Sequence, residues 1–158
     1  MIRILFMDID GTLTDGKIYI GFSGEVMKAF DVKDGYAIHD LLPKHNIVPV
    51  IVTGRTSVIV ENRAKELGIQ ELYQGIHDKT KILNQIIEKY KVSFEEVAYI
   101  GDDYMDLPCM KRCAISGCPS DAVKEVKDIC DYVCQNKGGN GAVREFIEWL
   151  IQQKKELS

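Results

Sequence analysis

An apolar run, Ile4-Leu5-Phe6-Met7, stops at two carboxylates one residue apart, Asp8 and Asp10, followed by Gly11-Thr12. Adjacent carboxylates repel unless a cation joins them, so a fold alone has no need of this pair. Two further apolar runs end in polar groups: Ile47–Val52 at Thr53-Gly54-Arg55, and Val97–Ile100 at Gly101-Asp102-Asp103. Lys79 opens a helix after another short strand candidate, Leu72-Tyr73. Carboxylates, a hydroxyl and a lysine suit phosphoryl transfer. Mg²⁺ takes oxygen ligands and neutralises phosphate charge. The Thr53 hydroxyl can hold a phosphate oxygen, and Lys79 sets a point charge against the developing transition state. One Asp of the first pair can attack phosphorus and form an aspartyl phosphate. The other, two residues on, can protonate the leaving alcohol and later activate water.

These groups meet only if the strands that carry them lie side by side and run the same way. The strands read as continuous apolar runs, the pattern of a parallel sheet buried on both faces. Such a sheet brings all its carboxyl ends to one edge, where open α/β sheets bind their ligands. The pattern predicts strands over residues 2–8, 47–52 and 97–100, with shorter ones at 72–73 and 113–115. It predicts a helix from an Asp34 cap to Leu42, another from Ser57 to Leu67 closed by Gly68, and an Asp78-capped helix carrying Ile82, Leu83, Ile86 and Ile87. Ser93 to Glu96 matches a capping box, and a last helix over 142–153 puts Val143, Phe146, Ile147 and Leu150 on one face. Residues 17–22 and 25–32, around Ser23-Gly24, read as a β-hairpin inserted directly after the acidic loop. The expected fold is therefore α/β: a Rossmann-like parallel sheet sandwiched by helices, with a hairpin after the first strand, in one domain over residues 1–158.

The bulk properties restrict the partners. A net charge of −4 without a Lys/Arg stripe argues against nucleic acid. No apolar run approaches the roughly 20 residues that span a bilayer. Met1-Ile2-Arg3 leads straight into a strand, which predicts no signal peptide. Five cysteines, at 109, 113, 118, 130 and 134, make neither a CxxC pair nor a Cys/His ligand set. They read as reduced thiols of a cytoplasmic protein. Met105 and Met110 are expected in the core, and Phe22 at an exposed hairpin tip.

The set Asp8-x-Asp10-Gly-Thr, Thr53-Gly-Arg55, Lys79 and Gly101-Asp102-Asp103-x-x-Asp106 resembles the haloacid dehalogenase-like superfamily of phosphatases, in order and separation, across nearly the whole chain. The resemblance implies Asp8 as nucleophile and Asp10 as general acid/base, with Thr53 and Lys79 on phosphate. It implies Mg²⁺ held by Asp8, the main-chain carbonyl of Asp10, and Asp102, with Asp103 an outer ligand and Asp106 orienting the loop.

Between Gly16 and Thr53 there is room for only a hairpin and a helix, not for a cap domain. Lys28-Ala-Phe30-Asp-Val32-Lys-Asp34-Gly35, Tyr73-Gln-Gly75 and Gly138-Gly-Asn-Gly141-Ala-Val-Arg144-Glu145 are similar to the capless 3-deoxy-D-manno-octulosonate 8-phosphate phosphatases. That family in turn resembles the phosphatases of sialic-acid-type nonulosonate 9-phosphates. The likeness implies sugar-acid contacts from a Lys33-Asp34-Gly35 turn, Arg55 and Arg63, cations suiting the carboxylate. Arg after Thr-Gly favours the eight-carbon substrate. It also implies a homotetramer in which hairpins meet centrally and a neighbouring subunit completes each site, and a place in lipopolysaccharide biosynthesis. The nine-carbon acid is the alternative. A phosphoryl-accepting switch domain is the competing class, but the acid two residues from the nucleophile favours turnover.

Overall fold

The structure, a computed structural model, describes residues 1–156. The chain runs β1 (Ile4–Met7), β2 (Tyr19–Gly21), β3 (Gly24–Met27), α1 (Val32–Tyr36), a wider π-turn over Ala37–Leu41, α2 (Leu42–Lys44), β4 (Val48–Val52), α3 (Val58–Glu66), β5 (Glu71–Tyr73) and α4 (Lys79–Tyr90). It continues through β6 (Val97–Ile100), α5 (Leu107–Met110), β7 (Ile115–Cys118), α6 (Lys124–Ile129), β8 (Tyr132–Val133) and α7 (Ala142–Glu156). Six strands form one parallel sheet in the order β5-β4-β1-β6-β7-β8, and β2-β3 form a separate antiparallel hairpin.

Alternate residues of each central strand face opposite layers. Leu5 and Met7 pack with Ile38, Leu42, Val143 and Phe146, whereas Ile4 and Phe6 pack with Ile82, Leu83, Ile86 and Tyr99. Both faces are covered, so the strands need apolar residues at every position, which is why they read as unbroken runs. Each large side chain so buried stabilises the fold by roughly 1.5–3 kcal/mol.

Register sets the site. Met7 pairs with Ile51 on one side and Ile100 on the other. The residues that follow, Asp8, Thr53 and Asp102, therefore leave the sheet at one edge.

Three expectations need correction. The helix after the hairpin starts at Val32, capped by Asp31, whose carboxylate accepts from Lys33 N at 2.7 Å. Asp34 lies inside that helix, because β3 ends at Met27 and the chain can turn earlier. The strand expected at 113–115 is Ile115–Cys118, starting two residues later, where Ser116, Gly117 and Cys118 are buried. Met105 is half exposed while Met110 is buried. The short elements α5, α6 and β8 carry too few periodic residues to show in sequence. The Asp78 cap and the Ser93–Glu96 capping box form as expected, the latter around a single 3₁₀ turn, Phe94–Glu96.

Candidate active site

The loop after β1 curls tightly. The Ile9 carbonyl accepts from the amides of Thr12, Leu13 and Thr14, and Thr14 Oγ1 accepts from Gly11 N and Gly16 N, each at 3.2 Å. Gly11 sits at φ +87°, and a Cβ there would stand 1.9 Å from Asp102 Oδ2. Glycine at this position thus lets the β6 carboxylate approach the β1 loop. The loop is braced from outside by Gly139 N, which donates to the Thr12 carbonyl at 3.1 Å.

Asp8, Asp102 and Asp106 each place a carboxylate oxygen within 4.8 Å of the other two. Their situations differ. Asp106 Oδ1 accepts from Lys79 Nζ at 2.8 Å and Tyr99 OH at 2.6 Å, and its Oδ2 accepts from the amides of Asp102 (3.0 Å) and Asp103 (3.3 Å). Asp106 is fully engaged, and it fixes the loop after β6. Gly101 admits it, since a Cβ there would meet the Asp106 carboxyl carbon at 2.4 Å. Asp8 Oδ1 accepts from Lys79 at 3.0 Å. Asp102 Oδ1 is buried with no hydrogen-bond partner. Asp103 is exposed and caps the following 3₁₀ turn through Tyr104 N at 2.7 Å.

Burial pushes the Asp8 carboxyl up, Asp106 adds repulsion, and Lys79 opposes both. Burial also pushes Asp102 up, followed by the charge of Asp8. Lys79 is raised because Asp8 and Asp106 outweigh its own burial. Two carboxyls raised by burial and by neighbouring negative charge, one with a buried oxygen lacking any partner, fit a hard divalent cation, which relieves the repulsion and takes oxygen ligands.

Thr53 is buried at the end of β4, its amide donating to the Tyr73 carbonyl and its carbonyl accepting from Ile76 N. Arg55 is half exposed, 3.6 Å from Glu25 of the hairpin. Asp10 is held by a residue the sequence did not single out for the site, Lys28, whose Nζ donates to Asp10 Oδ1 at 2.6 Å and to Glu25 Oε2 at 3.0 Å. Glu25 Oε1 accepts from Ser57 Oγ at 3.0 Å. Only a folded hairpin brings Lys28 and Glu25 here. The sequence carried Lys28 only as the first residue of the segment Lys28–Gly35 quoted for the family likeness, with no role attached.

The remaining residues of the expected sugar site lie apart from this cluster. Asp34, Gly35 and Arg63 line a narrow crevice with Phe30 and Leu67, beneath Ile9 and Leu13. Asp34 and Gly35 are buried in helix α1 rather than exposed on a turn. Asp34 Oδ1 accepts from Arg144 N at 2.8 Å and so joins α1 to the first turn of α7. A Cβ on Gly35 would meet the Arg63 guanidinium at 2.5 Å, which packs over the Phe30 ring and pairs with Glu66 at 3.1 Å. The expected Lys33-Asp34-Gly35 turn is therefore corrected to a helix, in which Asp34 fastens α7 and Gly35 makes room for Arg63. Lys33, on the outer face of α1, is exposed.

A parallel sheet with an acidic loop after its first strand, a buried lysine and a second acidic loop defines a haloacid dehalogenase-like hydrolase, and the model of that family matches residues 68–147. The chain is 43% identical over 156 residues to the 3-deoxy-D-manno-octulosonate 8-phosphate phosphatase of Salmonella typhi, covering 99% of this chain and 82% of the relative. The crystal structure of the same phosphatase from Yersinia pestis superposes with a TM-score of 0.94 at 41% identity, over 99% of this chain and 84% of that one. The Moraxella catarrhalis phosphatase, solved with magnesium, phosphate and the sugar acid, gives 0.91 at 37% identity, over 96% and 86%. This chain belongs to the 3-deoxy-D-manno-octulosonate 8-phosphate phosphatase family of haloacid dehalogenase-like hydrolases. No cap domain stands between Gly16 and Thr53 among the described residues, only the hairpin, α1, the π-turn and α2.

Proposed function

We propose that this protein hydrolyses 3-deoxy-D-manno-octulosonate 8-phosphate to the free sugar acid and phosphate, with Mg²⁺, through an aspartyl phosphate at Asp8. The observation that carries the reading is the pair of buried Asp8 and half-buried Asp102, with Lys79 bonded to the first and a buried, unpartnered oxygen on the second. The names of the relatives and the magnesium, phosphate and sugar acid bound in one of them support the same conclusion.

Asp8, the Asp10 carbonyl and Asp102 would hold the metal. When bound, it neutralises the two carboxylates and the phosphate oxygens. Asp8 attacks phosphorus with its free oxygen while Lys79 holds the other. The P–O bond to the sugar breaks, and Asp10 gives its proton to the departing alkoxide. Asp10 then takes a proton from water, which attacks the acyl phosphate and releases phosphate, restoring Asp8. Thr53 and Lys79 bind the phosphoryl oxygens, and Asp106 keeps Lys79 and the Asp102 loop in place. Arg55, half exposed above this edge, suits the sugar carboxylate. Lys33 and Arg63 are secondary candidates for it.

The reading includes a cytoplasmic homotetramer whose neighbouring subunit completes the site, in a single phosphatase domain serving lipopolysaccharide biosynthesis. Its support is the hairpin, which exposes Ile20, Phe22, Val26 and Met27 and has too few strands to be stable alone in water. No helix among the described residues is long and apolar enough to cross a membrane.

Asp8→Asn tests the chemistry. Turnover falls by about 10³-fold or more with the fold and assembly intact. Retained turnover in pure protein overturns the nucleophile.

A further inference from the structure

Lys28 lies outside the acidic cluster, yet its side chain is only 1% exposed and its ammonium is shared between Asp10 and Glu25. A lysine loses several kcal/mol of hydration on such burial, so its retention needs compensating contacts. Two carboxylates supply them: Asp10 Oδ1 at 2.6 Å and Glu25 Oε2 at 3.0 Å. Glu25 is itself tied to Ser57 Oγ at 3.0 Å, and Arg55 stands 3.6 Å away. One chain of contacts thus runs from Asp10 through Lys28 and Glu25 to the loop that carries Arg55. Among the described hydrogen bonds, the Lys28 bond is the one that fixes the Asp10 side chain, which projects from a loop and is a fifth exposed.

We infer that Lys28 is a positioning residue: it clamps Asp10 Oδ1 so that the other oxygen faces the leaving-group oxygen, and through Glu25 it makes that alignment depend on the hairpin and on the Arg55 loop. The inference rests on the phosphatase reading and adds the residue that aims its acid. A misplaced general acid slows P–O cleavage when the leaving alkoxide is basic and needs a proton, and little when it is a stable phenolate. A structural defect alone lowers the rate for all leaving groups alike.

The experiment measures kcat/KM for a series running from p-nitrophenyl phosphate through phenyl phosphate to the sugar phosphate, in wild type and Lys28→Met, with circular dichroism and molecular mass as checks on folding. kcat/KM reports the steps up to departure of the leaving group, before hydrolysis of the acyl phosphate. In Lys28→Met the loss grows along the series, from about threefold for p-nitrophenyl phosphate to about 10²-fold for the sugar phosphate, the scale of general acid catalysis. In an Asp10→Asn background, where no acid remains to aim, Lys28→Met costs nothing further. Should Lys28→Met fail to fold, Lys28→Gln, which keeps a donor but loses the charge and one bond of reach, is read in the same way. A loss equal for every leaving group, or one that adds fully to Asp10→Asn, overturns the inference while leaving the phosphatase reading intact. Absence of any phosphatase activity in wild type overturns that reading instead.

Discussion

Lys79 Nζ donates to Asp8 Oδ1 at 3.0 Å across 71 residues of sequence, with both side chains almost wholly buried. The same ammonium serves Asp106 at 2.8 Å, so one cation faces two carboxylates and a third, Asp102, lies beside them. Much of the behaviour of the site follows from this imbalance of charge.

Removing the cation makes the imbalance worse. Lys79→Met leaves Asp8 and Asp106 buried against each other with no counter-charge. Breaking a buried pair in this way costs about 3–5 kcal/mol. The urea midpoint of the metal-free protein falls accordingly, and an unchanged midpoint contradicts the ion pair.

Metal binding is linked to protons. Burial pushes both carboxyls up, the Asp106 charge adding to it for Asp8 and the Asp8 charge for Asp102, so the metal-free protein retains protons on this pair at a pH where free carboxyls have none. A cation displaces those protons, and its apparent affinity rises with pH. Calorimetric titration with Mg²⁺ in buffers of different ionisation enthalpy reads the effect directly. The expected release at neutral pH is on the order of one proton per site. No release contradicts the proposed ligands.

Asp34 yields a stability prediction of the opposite kind from an ordinary salt bridge. Burial pushes its carboxyl up to about 6 from 3.8, only partly opposed by the Arg144 amide. Between those values the folded state holds a proton that the unfolded state has lost. Stability from this group therefore falls as pH rises through the window, and the penalty is complete above it. Asp34→Asn keeps an oxygen for the Arg144 amide and removes the titration. Its stability relative to wild type should improve by about 1–3 kcal/mol between about pH 4 and about pH 7. A difference that stays flat with pH contradicts the cause given.

The sequence revealed the site as far as strand ends determine it. Asp8, Thr53 and Asp102 each follow an apolar run, and a parallel sheet has no choice but to gather such residues at one edge. The Asp106 role came only with the family resemblance; the bonds from its carboxylate to the Asp102 and Asp103 amides and to Lys79 appear in the fold alone. What the sequence hid depends on packing between distant elements. Lys28 reads as one more polar residue of a hairpin until the hairpin folds over Asp10. Asp34 reads as a helix cap or a sugar ligand because nothing local shows that α7 begins against it. Met105 sits in a mixed apolar stretch with Met110, and only the 3₁₀ turn Tyr104–Asp106 turns it outward.

The most direct test of the account is phosphate release from 3-deoxy-D-manno-octulosonate 8-phosphate, with and without Mg²⁺, beside a nonulosonate 9-phosphate. Mg²⁺-dependent turnover with a clear preference for the eight-carbon acid is the expected result. A preference for the nine-carbon acid contradicts the part given to Arg55, and activity on neither, with a persistent phosphoaspartate at Asp8, contradicts the phosphatase itself.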